Sequence, residues 1–210
     1  MKRFALAAAS IFAIGACSAG TYTVNSLSVT PSGPYVTLDL SGPLFNDAAT
    51  IAGLMTIGTT SGQSFETFCV DLSGTINIGA DNLLYSTSPT LPTNGFGTPV
   101  TVTVQRELQA LANLGLKGGD EPAIQGAIWR LEYPTESITS SNPAIEAAIG
   151  MDAAWAVLHP ASPTSFFLDS PTGAQNLIIG SAVPETQTWL MMFAGFIGLA
   201  AVGWRKARRT

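Results

Sequence analysis

The sequence predicts a β-rich α+β domain, an antiparallel sandwich or barrel with a helical insertion, set between an N-terminal signal peptide and a C-terminal transmembrane helix. Three observations lead there. The first half of the 210-residue chain alternates short β-branched runs with Gly, Pro, Asn and Ser clusters; the apolar period becomes helical after Val104; and both ends carry apolar stretches beside basic residues.

The N-terminal end has the order of a secretory signal. Lys2 and Arg3 precede an apolar run over 4–16, and small residues follow at Cys17, Ser18 and Ala19. The chain is therefore expected to be exported, with a signal peptide over 1–19 whose removal discards Cys17. A second reading is a lipobox, Ile14-Gly15-Ala16-Cys17, in which Cys17 becomes the lipidated first residue. Cleavage after Ala16 without lipidation leaves a Cys17–Cys69 disulfide open. On the first reading Cys69 is the sole thiol of the mature chain, and an odd cysteine in an exported protein calls for a specific explanation.

Strands are expected over 23–30, 35–40, 50–58, 64–72, 75–78, 83–86 and 100–104, and their short, regular spacing suggests the sandwich or barrel. The segment 87–99, with three prolines and two glycines, reads as a surface loop. Leu108, Leu111, Ala112 and Gly115 then lie at helical spacing, and Gly118-Gly119 ends that helix. Asp120 is placed to cap a second helix, with Pro122 in its first turn; it runs through Ile124, Ile128 and Leu131 until Pro134 stops it. A third helical stretch over 143–158, with a break expected at Gly150, leads back to strands at 165–168 and 176–179.

At the C-terminal end, Val183-Pro184-Glu185 precedes an uncharged run over 189–204, which is followed by Arg205, Lys206, Arg208 and Arg209. Sixteen residues fall just short of a comfortable span, so the helix crosses a membrane with snorkelling or local thinning. The basic cluster stays cytoplasmic by the positive-inside rule, which leaves the body on the periplasmic side of the inner membrane. The alternative, a buried core helix, suits the terminal position and abrupt basic end less well.

This tripartite tail (motif 183–185, helix 189–204, basic residues 205–209) resembles the PEP-CTERM sorting signal of Gram-negative bacteria that export extracellular polysaccharide. The likeness rests on Val183, Pro184 and Glu185, the Trp189-Leu190-Met191-Met192 start of the helix, its glycine-studded body and the final arginines; Thr186 stands where a second proline is usual. The resemblance implies temporary anchoring at the inner membrane, processing by an exosortase near the Pro-Glu motif, and delivery to the cell surface or extracellular matrix.

Between the two signals, 20–182 is long enough for one domain with a sizeable core. Six of nine basic residues sit in the signals, leaving Arg106, Lys117 and Arg130 against thirteen acids if Glu185 leaves with the tail, a formal charge of minus ten. Nucleic acid is a poor partner for such a body.

Chemistry concentrates at Cys69 and at Gln125, 56 residues later. Strand alternation puts Phe65, Thr67, Cys69 and Asp71 on one face and Glu66, Phe68, Val70 and Leu72 on the other. On the helix after Asp120, Gln125, Ile128 and Trp129 share a face. Gln125 therefore rides beside an apolar stripe that docks the helix on the sheet, and a buried amide there needs a partner. Attack by the Cys69 sulfur on the Gln125 side-chain amide, with loss of ammonia, supplies one. A thiolate is the strong nucleophile, the amide supplies a carbonyl, and fixed geometry supplies effective concentration. The product is more reactive than the amide, and water exclusion by Phe68 and Trp129 protects it until an amine or hydroxyl enters.

Phe68-Cys69-Val70-Asp71 and Gln125-Gly126-Ala127-Ile128-Trp129 resemble the two diagnostic motifs of the bacterial thioester domain of surface adhesins. Those motifs are an aromatic-Cys-apolar-acid segment on a strand, then Thr-Gln-x-Ala-apolar-Trp on a helix. The resemblance spans the body in order and architecture but matches residue by residue only in these two stretches, and Ile124 stands where the family has Thr. It implies Cys69 and Gln125 as the bonded pair, with Phe68, Asp71, Ala127 and Trp129 in support. Such a protein is not a turnover enzyme, since the bond is consumed. Without the bond, Cys69 is a small buried hydrophobe and the chain a structural matrix protein of the same fold.

The remaining candidates carry less. His159 is a base if it lies near the thioester and otherwise a surface-loop histidine. Asp120-Glu121 suits a cation or, more simply, a helix cap. One histidine and one mature cysteine make a structural zinc site improbable, and neither a phosphate loop nor a Ser-His-Asp order is present, so no cofactor is expected.

Overall fold

Alternation in the first half resolves into a closed antiparallel barrel. The computed structural model of the chain describes residues 21–26, 36–58, 64–74, 81–161, 166–170 and 174–180. The signal peptide, the expected strand at 75–78, Val183-Pro184-Glu185, the helix at 189–204 and the basic tail lie outside the described residues.

The strands are β1 (Thr21–Ser26), β2 (Val36–Ser41), β3 (Ala48–Ala52), β4 (Met55–Gly58), β5 (Ser64–Cys69), β6 (Asp81–Ser88), β7 (Ser137–Thr139), β8 (Phe166–Asp169) and β9 (Leu177–Ile179). The helices α1 (Val102–Gly115), α2 (Glu121–Glu132) and α3 (Pro143–Leu158) are inserted between β6 and β8. The barrel runs β1-β4-β5-β9-β8-β6 and closes through β1 and β6, while β3-β2-β7 form a separate antiparallel sheet. The β-rich expectation with two antiparallel sheets holds; the larger sheet closes into a barrel, and closure removes the exposed edges from that sheet.

Three element expectations change. The strand expected over 50–58 is two strands: β3 pairs with β2 in the small sheet, β4 with β5 in the barrel, and the chain crosses between them at the buried residues Gly53 and Leu54. The expected strand at 100–104 is the start of α1. Thr101 is extended at the N-cap and its hydroxyl accepts from the Val104 N–H at 3.3 Å, so a cap overrides the β preference of Val100, Val102 and Val104. Gly150 does not break α3. Its cost in a helix is about 1 kcal/mol, and packing through Ile145, Ile149, Ala153 and Ala156 offsets it.

Helix α2 is the centre of the molecule. It packs against α1, α3, β3 and β7, and residues 122–129 are all buried. Asp120 caps it as expected, accepting from the Ala123 N–H at 3.4 Å, and Pro122 sits in the first turn. Gly126 makes the tight packing possible. A Cβ there would lie 2.7 Å from Ile149 Cδ1 and 2.9 Å from Leu38 Cδ1, closer than carbon atoms approach.

Candidate functional site

The end of β5 leaves a gap in the barrel ladder. Thr67 pairs with Met55, so the same register carried two residues further would set Gly53 opposite Cys69, but β4 begins only at Met55. The Gln125 side chain fills that place. Its Oε1 accepts from the Cys69 N–H at 2.9 Å, and its Nε2 donates to the Cys69 carbonyl at 2.6 Å. A side-chain amide thus completes the ladder as a peptide group would, joining α2 to β5 by two buried hydrogen bonds.

The two faces of β5 diverge as the alternation predicts. Phe68 is fully buried, its ring against Gly115 of α1, where a side chain would have no room. Cys69 projects the other way. Its sulfur lies 3.8 Å from Met55 Sδ, and its thiol donates to Oε1 of Gln175 at 2.8 Å. Gln175 precedes Leu177, the partner of Cys69 across β5 and β9, and its own carbonyl accepts from the Tyr85 hydroxyl at 3.2 Å. Cys69 is a free, buried thiol. Burial first, then the charges of Asp71 and Glu132, pushes its pKa up. The resting group is a neutral thiol rather than a thiolate.

Asp71 locks the turn after the strand. One carboxylate oxygen accepts from Ser73 N–H and Ser73 Oγ, each at 2.7 Å, and from the Tyr133 hydroxyl at 3.4 Å; that hydroxyl in turn accepts from the Leu72 N–H at 3.1 Å. Asp71 and Tyr133 therefore tie the end of β5 to the end of α2, as Gln125 does near its start. Phe45 and Phe96 close over this junction, with Phe96 edge-on to Tyr133 at 5.9 Å between centroids and to Phe45 at 5.6 Å. Phe96, 41% exposed, is the outermost part of the cover.

Ala127 and Trp129 are both fully buried in α2. Among the described residues, neither the indole N–H of Trp129 nor, one turn on, either carboxyl oxygen of Glu132 has a partner at full hydrogen-bond geometry. Burial, then the charge of Asp71, pushes the Glu132 carboxyl well above the usual range, and a hydrogen bond from the neighbouring Tyr133 hydroxyl opposes this.

The structure brings Cys69 and Gln125 of the sequence reading into contact, and Phe68, Asp71, Ala127 and Trp129 are buried on or beside the same two elements. Sequence reasoning missed Gln175, Tyr85, Tyr133 and Glu132. Only the spacing of Gln125, Trp129 and Glu132 at i, i+4 and i+7 on α2 was a signal open to reading. His159 is exposed at the C-cap of α3, where its Nδ1 meets the Trp155 carbonyl at 2.8 Å and its ring stacks on the indole at 4.9 Å. It belongs to the surface rather than to the buried thiol. Among the described residues, no group of three or more His, Cys, Asp or Glu is arranged to hold a metal ion, and no helix is long and apolar enough to cross a membrane.

No protein-family model matches the chain, and neither does any curated protein. Two solved structures are similar to it. The N-terminal thioester domain of a surface protein from Clostridium perfringens has a TM-score of 0.44 at 14% identity over 76% of this chain and 98% of that one. The N-terminal thioester domain of the fibronectin-binding protein SfbI from Streptococcus pyogenes has a TM-score of 0.42 at 12% identity, with the same coverage.

Proposed function

We propose that this chain is an exported surface or matrix protein that attaches covalently to amines or hydroxyls through an internal thioester between Cys69 and Gln125. The observation that carries the reading is the paired hydrogen bonding of the Gln125 amide to Cys69 in a buried site. Attack of Sγ on the Gln125 carbonyl carbon forms the C–S bond and puts negative charge on Oε1, which the Cys69 N–H already holds. The C–N bond then breaks, and Nε2 leaves as ammonia with the thiol proton. In the resting arrangement Sγ meets Gln175 and Met55, so the reaction requires it to turn from them to the Gln125 carbonyl. The bond is consumed when a target amine or hydroxyl displaces the sulfur, so the protein is a single-use linker rather than a turnover enzyme.

Export and sorting complete the reading. The N-terminal signal leads the chain out, the C-terminal helix anchors it in the inner membrane with the body on the periplasmic side, and an exosortase-type enzyme acts near Val183-Pro184-Glu185 before release to the surface. The second reading, a structural matrix protein with a free cysteine, draws on the thiol's contact with Gln175 and on the full hydrogen bonding of Gln125 as an amide. Intact mass of freshly purified protein separates them. The thioester form is lighter by one ammonia, gains methylamine at Gln125 on peptide mapping, and loses both properties in Cys69→Ala. A full, unreacted mass, or methylamine found at Gln175 instead, overturns the thioester assignment to Gln125.

A further inference from the structure

The surface loop that the prolines and glycines of 87–99 announce is tied into a compact unit. Gln105 of α1 closes its neck. Oε1 accepts from the Leu91 N–H at 3.1 Å, and Nε2 donates to the Leu91 carbonyl at 3.0 Å and to the Val100 carbonyl at 2.9 Å. The Val100 N–H donates to the Pro92 carbonyl at 3.1 Å, and Thr93 bridges to Pro99. Asn94 closes the tip. Its Oδ1 accepts from the Phe96 and Thr98 N–H groups at 3.1 and 2.9 Å, its own N–H donates to the Thr98 carbonyl at 2.8 Å, and its carbonyl accepts from the Gly97 N–H at 2.9 Å. Gly97 supplies the positive φ, 78°, that this turn requires. Leu91 roots the neck in the core, while 95–99 lie at the surface. Ends held together and a tip bonded to itself make this an Ω-loop, able to move as one piece without unravelling.

The tip rests on the end of β5. A Cβ on Gly95 would fall on the Asp71 carboxylate and the Ser73 hydroxyl, so only glycine lets the chain come this close. The Gly95 N–H donates to the Tyr133 hydroxyl, and the Phe96 ring stands edge-on to Phe45 and Tyr133. Cys69, buried, lies two residues before Asp71, about 7 Å along an extended chain. We propose that the loop 91–100 is a hinged lid over this end of β5, and that its outward swing about the Gln105-bound neck admits an outside molecule to Cys69. What passes through, a target amine or hydroxyl, rests on the Cys69–Gln125 reading; the swing itself does not depend on that bond. Opening lifts Gly95 from Asp71 and Tyr133 and parts Phe96 from its two aromatic neighbours. The hydrogen bonds inside neck and tip stay made, so the swing costs far less than unfolding the domain.

Alkylation of the Cys69 thiol reads the swing whether or not a thioester forms. The full chain is first treated with methylamine, which opens any thioester and frees the thiol, and uptake of N-ethylmaleimide at Cys69 is then followed by peptide mapping. Phe96→Ala, which loosens the tip, and Gln105→Leu, which unties the neck, are each expected to speed uptake several-fold. In wild type the rate is expected to stay flat through low urea, because a lid swing exposes little surface, and to climb only where the domain unfolds. A wild-type rate that climbs with urea from the start, in step with global unfolding, overturns the lid. Wild-type speed in both variants overturns it too. Should Gln105→Leu show no cooperative melting, Phe96→Ala and the urea profile decide. A chain that never loses ammonia yet alkylates in the expected pattern overturns the thioester and leaves the lid standing, and ammonia loss without that pattern does the reverse.

Discussion

The two ends of α2 treat their polar side chains in opposite ways. At Gln125 both polar atoms of the side-chain amide bond the Cys69 backbone, whereas one and two turns later, among the described residues, the Trp129 indole N–H and the Glu132 carboxyl oxygens have no partner at full hydrogen-bond geometry. Each buried orphan costs about 1–3 kcal/mol. The saturated end behaves as a staple that sets geometry, and the open end holds a carboxyl whose burial favours its neutral form. Both lie on one face of one helix, so the contrast comes from what each side chain meets rather than from local sequence.

Breaking the saturated end has the largest expected effect. Cys69→Ala and Gln125→Ala each abolish ammonia loss and methylamine uptake entirely, read by intact mass. Gln125→Ala also leaves the Cys69 N–H and carbonyl buried without partners, at about 1–3 kcal/mol each, measurable by chemical denaturation. Loss of the mass change with unchanged stability would separate the chemistry of Gln125 from its stapling.

Gly126→Ala tests the packing that delivers Gln125. The added methyl meets Ile149 and Leu38, with an expected loss of about 1–3 kcal/mol and slower thioester formation. A stable variant with normal mass loss would show that α2 tolerates displacement at the staple.

Glu132→Gln probes the open end through pH. The Glu132 pKa is raised in the folded state, so its contribution to stability is present below the ordinary value of 4.5 and is lost as pH rises through the higher folded value. Wild type is therefore expected to lose stability relative to Glu132→Gln on going from mildly acidic to neutral pH. Parallel melting curves at all pH values would contradict a strained carboxyl.

The smallest expected effect lies at the cover. Phe96→Ala removes the exposed outer ring over Tyr133 and is expected to speed methylamine opening and hydrolysis several-fold, with little change in melting, because the ring is 41% exposed in wild type. An unchanged rate would place the entry route elsewhere.

Much of the architecture was legible because period and capping are local. Asp120 and Pro122 announced α2, Thr67 and Cys69 shared the face expected of them, and strands formed in the runs at 35–40, 50–58, 64–72 and 83–86. Failures came where tertiary context outweighed propensity. Thr101 turned a β-branched run into a helix start, the corner at Gly53 and Leu54 divided one apparent strand between two sheets, and packing carried α3 through Gly150.

Residue type and helical spacing supplied a thiol, an amide and a docking helix, since nucleophile, carbonyl and apolar stripe are properties of residue type and period, and the motif resemblance is what singled out Cys69 and Gln125 as a pair. Which atoms meet was decided by tertiary structure. The ladder gap at Cys69 depends on where β4 starts, the thiol's contact on how β9 registers against β5, and the orphaned Glu132 on what surrounds the far end of α2. Those positions join segments distant in the chain, and no local period encodes their registration.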